Sequence, residues 1–133
     1  MGSASLAPRV LIVEDYPDTA DLLGRYARLI GCETRTAASG QEALKIALEF
    51  LPQIVLLDIG LPDIDGWTVA RTLREKLQPI HPVVIAITAF GSHEDRKRSE
   101  DAGVDHHLAK PEFRKELMEL LMRLVGRSGE AAP

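Results

Sequence analysis

Residues 10–13, 54–57 and 83–87 are short runs of consecutive aliphatic side chains, and between them lie longer segments whose apolar residues recur at helical spacing. A run that is apolar at every position has no polar side to turn to water. As a strand it must be covered on both faces, which is the situation inside a parallel sheet. Two weaker strand candidates, 33–37 and 105–109, complete a set of five.

The intervening segments read as helices. Leu22, Tyr26, Leu29 and Ile30 share one face of the first, which Pro17 can open and Gly31 can close. Ala43, Leu44, Ala47, Leu48 and Leu51 line the second, with Ser39 and Glu42 spaced as a capping box and Pro52 as the stop. A third spans about 67–77 with Val69, Ala70, Leu73 and Leu77 inward. A fourth, 92–102, is mostly charged and must lie largely in solvent before Gly103 ends it. The fifth, 112–125, carries Phe113, Leu117, Leu120, Leu121 and Leu124 on one stripe. Strand and helix alternating five times predict an α/β fold, a (βα)5 doubly wound parallel sheet with right-handed crossovers.

The bulk properties agree. A chain of 133 residues suits one domain and is short for two. Its hydrophobic share of 45% and charged share of 27% can build a packed core. The formal net charge of -4 argues against direct nucleic-acid binding, which usually needs a basic face. Cys32, the single cysteine, has no internal disulfide partner and reads as a small buried residue. The apolar runs fall well short of the ~20 residues that span a bilayer. Residues 1–8 lack signal-peptide character and read as an N-terminal arm or a cloning scar, 9–125 as the domain and 126–133 as a flexible C-terminal tail. The expected location is cytoplasmic, with no membrane contact.

Open α/β sheets bind ligands beyond the carboxyl ends of their strands. There the first strand ends in Glu14 and Asp15, the third in Asp58, the fourth in Thr88 and Ala89, and the fifth runs into Lys110 and Pro111. Each residue alone is commonplace as a cap or surface charge. Together they place three carboxylates, a hydroxyl and an ammonium on one rim. Close carboxylates repel unless a hard cation sits among them, and oxygen donors select magnesium, manganese or calcium. A carboxylate can also act as a nucleophile and form an aspartyl phosphate. Lysine and threonine suit the phosphoryl oxygens.

From about Arg9 to Val125 the sequence resembles the receiver domain of two-component response regulators. The matching pieces are LIVED at the first strand, DIGLPDIDG after the third, ITAF at the fourth and AGVDHHLAKP leading to the fifth helix. The resemblance implies a flavodoxin-like sheet of strand order 2-1-3-4-5 and a signalling switch phosphorylated on Asp58. Asp15 and Asp58 would ligate Mg2+ (Mn2+ as the alternative), Glu14 mainly through water, and the Gly60 carbonyl would join them. Thr88, the Ala89 amide and Lys110 would contact the phosphoryl group, and Pro111 would follow a cis bond. Gly60 and Phe90 occupy positions that tune phosphoryl lifetime, Phe90 as a shield. Pro62 and Gly66 would shape the loop, with Asp63 or Asp65 capping the third helix.

The switch position three before Lys110 is aromatic in most relatives and is His107 here. The His-His-Leu-x-Lys-Pro pattern looks like receivers associated with hybrid sensor kinases. The implied partners are a histidine kinase or histidine phosphotransfer protein and an unknown downstream protein, met on the face of the fourth helix, fifth strand and fifth helix. A monomer or a phosphorylation-dependent dimer is implied.

Other motifs carry less. His106 and His107 are adjacent on a strand, point to opposite faces and cannot easily share a metal. The Asp63–Gly66 stretch lacks the remaining ligands of a calcium loop. Trp67 reads as packing at the start of the third helix. A phosphatase with a nucleophilic Asp commonly has a second acid two residues on, where this chain has Gly60. A binding module that has lost phosphorylation would not need the complete rim.

Overall fold

The computed structural model describes residues 7–89, 93–110 and 113–130. Within them β1 (Arg9–Val13), α1 (Pro17–Ile30), β2 (Glu33–Ala37), α2 (Gly40–Phe50), β3 (Ile54–Leu57), α3 (Gly66–Lys76), β4 (Val83–Thr88), α4 (His93–Ala102), β5 (His106–Ala109) and α5 (Arg114–Glu130) follow in strict alternation. The strands form one sheet in the order β2-β1-β3-β4-β5. All four pairings are parallel. Val13 lies opposite both Ala37 and Leu57, and Leu57 lies opposite Ala86. This register brings the carboxyl ends of the central strands out side by side.

Side-chain alternation along the strands divides the core into two. Leu11, Val13, Val55, Leu57, Val84 and Ala86 pack with residues of α2 and α3. Val10, Ile12, Ile54, Leu56, Ile85 and Ile87 pack with residues of α1 and α5. The three central strands are thus covered twice, as their uninterrupted apolar sequences require.

Two helical faces differ from the expected ones. α1 buries Ala20, Leu23, Gly24 and Ala27. Leu22 and Leu29 are 40% and 79% exposed, while Tyr26 and Ile30 are only partly buried. The small residues let the helix approach the sheet closely, and the bulky ones sit on the flank. In α2, Ala43 and Ala47 are buried as expected, Phe50 joins them, and Leu44 is partly buried. Leu48 is exposed, and so is Leu51, which has left the helix in a left-handed cap with φ 52°. The Ser39 hydroxyl accepts from the Glu42 amide at 3.2 Å, and the Glu42 carboxylate accepts from Ala38 at 3.1 Å, one residue outside a closed capping box.

The other helices follow the pattern. Val69, Ala70, Leu73 and Leu77 are buried, as are Phe113, Leu117, Leu120 and Leu121, with Leu124 partly so. α5 continues past Val125 to Glu130, where a tail was expected from Gly126. No proline interrupts it before Pro133. The expected helix starts at Ser92 and Glu112 lie outside the described residues. Among the described residues, no helix is long and apolar enough to cross a membrane.

Candidate functional site

The sheet ladder carries the first acidic residues beyond its edge. The Glu14 amide donates to the Ala37 carbonyl at 3.0 Å, and the Asp58 amide donates to the Val13 carbonyl at 2.9 Å. Both residues are therefore fixed by backbone bonds to neighbouring strands. One carboxylate oxygen from each of Glu14, Asp15 and Asp58 lies within 4.8 Å of the others. Glu14 is buried, Asp58 half-buried and Asp15 exposed, so the group opens to water on one side.

Lys110 enters from β5. Its amide donates to the Thr88 carbonyl at 3.0 Å, extending the β4–β5 ladder by one bond. Its Nζ lies 3.0 Å from Glu14 Oε1 and 3.5 Å from Asp58 Oδ2. The other oxygen of Asp58, Oδ1, accepts from the Gly60 amide at 3.0 Å. Glu14 Oε2 accepts from the Tyr16 amide at 3.2 Å. Thr88 is buried at the end of β4, and Ala89 beside it is exposed. The rim thus brings together Glu14, Asp15, Asp58 and Lys110 by side-chain distance, Thr88 by strand register, and Ala89 as the residue that follows it. Phe90 and Pro111, with the expected cis bond before it, lie outside the described residues.

The charges are unbalanced. Burial pushes the Glu14 carboxyl above its ordinary range and the Asp58 charge adds to this, against the opposing hydrogen bond from Lys110. Burial also works against the Lys110 ammonium, but the Glu14 hydrogen bond and the charges of Asp58 and Glu14 outweigh it and hold the group above its usual value. Three ionised carboxylates beside one ammonium would leave two negative charges, which a divalent cation would balance. The donors are all oxygen, the set that hard cations such as Mg2+ and Mn2+ prefer. The residues present therefore fit such an ion.

The loop following Asp58 is held at two points, one more than expected. Asp65 caps α3, accepting from the Thr68 amide at 2.9 Å and the Thr68 hydroxyl at 3.0 Å. Asp63 reaches across to the start of α2 and accepts from the amides of Gly40 and Gln41 at 2.8 and 3.0 Å. Either acid was a candidate cap for α3; the structure uses both, on different helices. Backbone hydrogen bonds from Gln41 and Gly40 hold the Asp63 carboxyl below its ordinary range. For Asp65, burial raises the value, but bonds from Thr68 and the nearby Arg98 charge bring it below normal. Gly66 has no room for a side chain: a Cβ there would lie 2.8 Å from the Asp58 carbonyl oxygen.

His107 turns toward α4. Its Nδ1 lies 3.0 Å from Ser99 Oγ, which also accepts from the Trp67 indole N–H at 2.9 Å. The Arg98 guanidinium sits 3.9 Å above the Trp67 ring. His106 lines a cavity with Leu108 and the α5 residues Glu116 and Glu119; as neighbours on β5 the two histidines alternate across the sheet. Ser99 escaped the sequence reading. Its one available signal was a small polar residue three before Ala102 on an otherwise charged helix.

Comparison with known proteins adds context. Residues 10–122 match the family model described as the response regulator receiver domain. The transcriptional regulatory protein PrrA of Mycobacterium tuberculosis is 38% identical over 132 residues, covering 99% of this chain and 56% of PrrA. The chain spans about half the length of such curated relatives. The polar-differentiation response regulator DivK of Brucella ovis is 36% identical over 102 residues, 77% of this chain and 83% of DivK. The receiver domain of the sensor histidine kinase PA1611 from Pseudomonas aeruginosa, solved with a magnesium ion coordinated in its active-site cleft, superposes with a TM-score of 0.78. Its identity is 31%, with 90% of this chain and 98% of that one covered.

Proposed function

This chain belongs to the response regulator receiver domain family, and from that premise we propose that it accepts a phosphoryl group on Asp58 from a phosphohistidine, with Mg2+ or Mn2+ as cofactor. Members of the family are signalling switches rather than enzymes that turn over a separate substrate. The observation that carries the reading is Lys110 Nζ lying between Glu14 and Asp58, beside three convergent carboxylates.

In the proposed reaction an Asp58 carboxylate oxygen attacks phosphorus. The P–N bond to the donor imidazole breaks, that nitrogen keeps the bonding pair, and an acyl phosphate forms. Water attacking phosphorus later returns inorganic phosphate and the free carboxylate. The bound cation would be held by Asp15, Asp58 and the Gly60 carbonyl, with Glu14 mainly through water, and would neutralise charge on the phosphoryl oxygens. Lys110 is already within reach of Asp58 and can move its ammonium from carboxylate to phosphoryl oxygen. Thr88 and the Ala89 amide supply further donors, and His107 takes the switch position. Gly60 offers no side chain to slow hydrolysis.

The donor is a histidine kinase or a histidine phosphotransfer protein, and the likeness to the sensor-kinase receiver of PA1611 supports a place in such a relay. A downstream protein is met on the face of α4, β5 and α5, as a monomer or a phosphorylation-dependent dimer. The domain spans 9–125 and works in the cytoplasm, without nucleic-acid contact of its own.

The test is incubation with a small phosphodonor, with and without magnesium, followed by mass analysis. One phosphoryl group should appear on Asp58, require the cation, and be lost in Asp58→Asn. An adduct elsewhere, or one indifferent to magnesium, would overturn the reading.

A further inference from the structure

α4 is attached to the rest of the domain through described contacts that are largely polar. Its sequence is almost wholly charged, and among its described side chains only those of Ser99 and Ala102 are buried. Ala102 contributes one methyl group. Ser99 meets two side chains from two other elements, Trp67 at the start of α3 and His107 in β5. An indole nitrogen can only donate, so Ser99 Oγ accepts from Trp67. Its own hydrogen then remains for His107 Nδ1, or Nδ1 donates to it, as the imidazole tautomer dictates. Arg98, the preceding residue, lies over the same indole. The seat of this helix is a polar junction rather than a hydrocarbon surface.

That junction is mechanically connected to the phosphoacceptor. The Gly66 amide donates to the Ile59 carbonyl at 2.9 Å, and Gly66 is packed so tightly on the Asp58–Ile59 backbone that no Cβ fits. Trp67 thus follows directly on the residue packed against the Asp58 backbone, and its indole N–H is bonded to Ser99 of α4. On the far side His107 is paired with Ala86 of β4, two residues before Thr88.

We propose that Ser99 is a positioning residue, the hydroxyl through which the state of Asp58 reaches α4 and β5 by way of Trp67 and His107. The inference rests on the phosphoacceptor reading above and deepens it by naming a route. Contiguity alone does not establish coupling; the requirement is one element whose equilibrium both ends bias. α4 serves as that element, because its described side chains bury little apolar surface.

The test uses the full chain with Mg2+ and beryllofluoride. Binding at Asp58 is followed by fluorine NMR and the opening of α4 by amide hydrogen exchange. In the wild type the adduct should change α4 exchange rates by about two- to tenfold. Ser99→Ala should still form the adduct, with the α4 response reduced by half or more. Trp67→Phe keeps a ring and loses the N–H, and should do the same; the double variant should add little to either. An undiminished α4 response in both single variants, with the adduct present, overturns the route alone. Failure of the wild type to form an adduct overturns the phosphoacceptor reading and this inference with it.

Discussion

α3 and α4 are of similar length and belong to the same side of the sheet, yet they are held by different forces. α3 sinks Trp67, Val69, Ala70 and Leu73 into the core. Each large apolar side chain so buried contributes about 1.5–3 kcal/mol. Among the described side chains of α4, only those of Ser99 and Ala102 are buried. A net hydrogen bond contributes about 0.5–1.5 kcal/mol and an exposed cation–π contact about 0.5–1 kcal/mol. The described contacts of α4 thus sum to less than the buried side chains of α3 contribute. One helix is therefore scaffold, fixing the loop that carries Gly60, and the other is an element that can open below the global unfolding free energy.

The sharpest way to break this contrast is to empty the α3 seat. Leu73 is 1% exposed within the core under the sheet. Leu73→Ala should cost about 2–5 kcal/mol, from lost transfer free energy and the residual cavity. A urea titration would show it as a lower midpoint with unchanged slope. A loss below about 1 kcal/mol would mean that α3 is no better anchored than α4.

That contrast was only half visible in the sequence. The apolar inward positions of α3 stand out because Val69, Ala70, Leu73 and Leu77 repeat at helical spacing and are buried together. The charged character of α4 is equally plain, and so is the rim, because the ends of the first, third, fourth and fifth strands each carry a polar residue. What periodicity could not supply was the choice between adjacent faces. In α1 two offset stripes share the same period, and hydrophobic bulk points to Leu22 and Leu29 where the close approach to the sheet favours Ala20, Gly24 and Ala27. The junction at Ser99 was invisible for another reason. Its partners lie 32 and 8 residues away on separate elements, and no local pattern marks a hydroxyl that will meet an indole and an imidazole. Asp63 is a similar case, since its partners at α2 come together only in the folded chain.

A smaller effect is expected at the α3 cap. Asp65→Ala removes the acceptor for the Thr68 amide and hydroxyl and should cost about 0.5–2 kcal/mol at neutral pH. The pH dependence has a definite sign. The folded-state value of Asp65 is depressed, so its contribution is full above the unfolded value of about 3.9 and is lost as pH falls through the folded value. Thermal melts of wild type and variant should differ near neutrality and converge in acid. A gap that stays constant down to acid pH would assign the effect to helix propensity rather than to the ionised cap.

The least effect should come from the outer face of α4. Lys97 is exposed and, by the reasoning above, contributes nothing that the core needs. Lys97→Ala should change stability by no more than about 0.5 kcal/mol in either direction, read from the same urea titration. The substitution also raises helix propensity slightly, which works against any small electrostatic loss. A cost above about 1 kcal/mol would show that α4 is fastened through its charges, and the division between scaffold and movable helix would then fail. If the change is as small as expected, the charges on this face are free of structural duty. They could then be altered one at a time to ask which of them a downstream protein reads, without confusing lost recognition with lost folding.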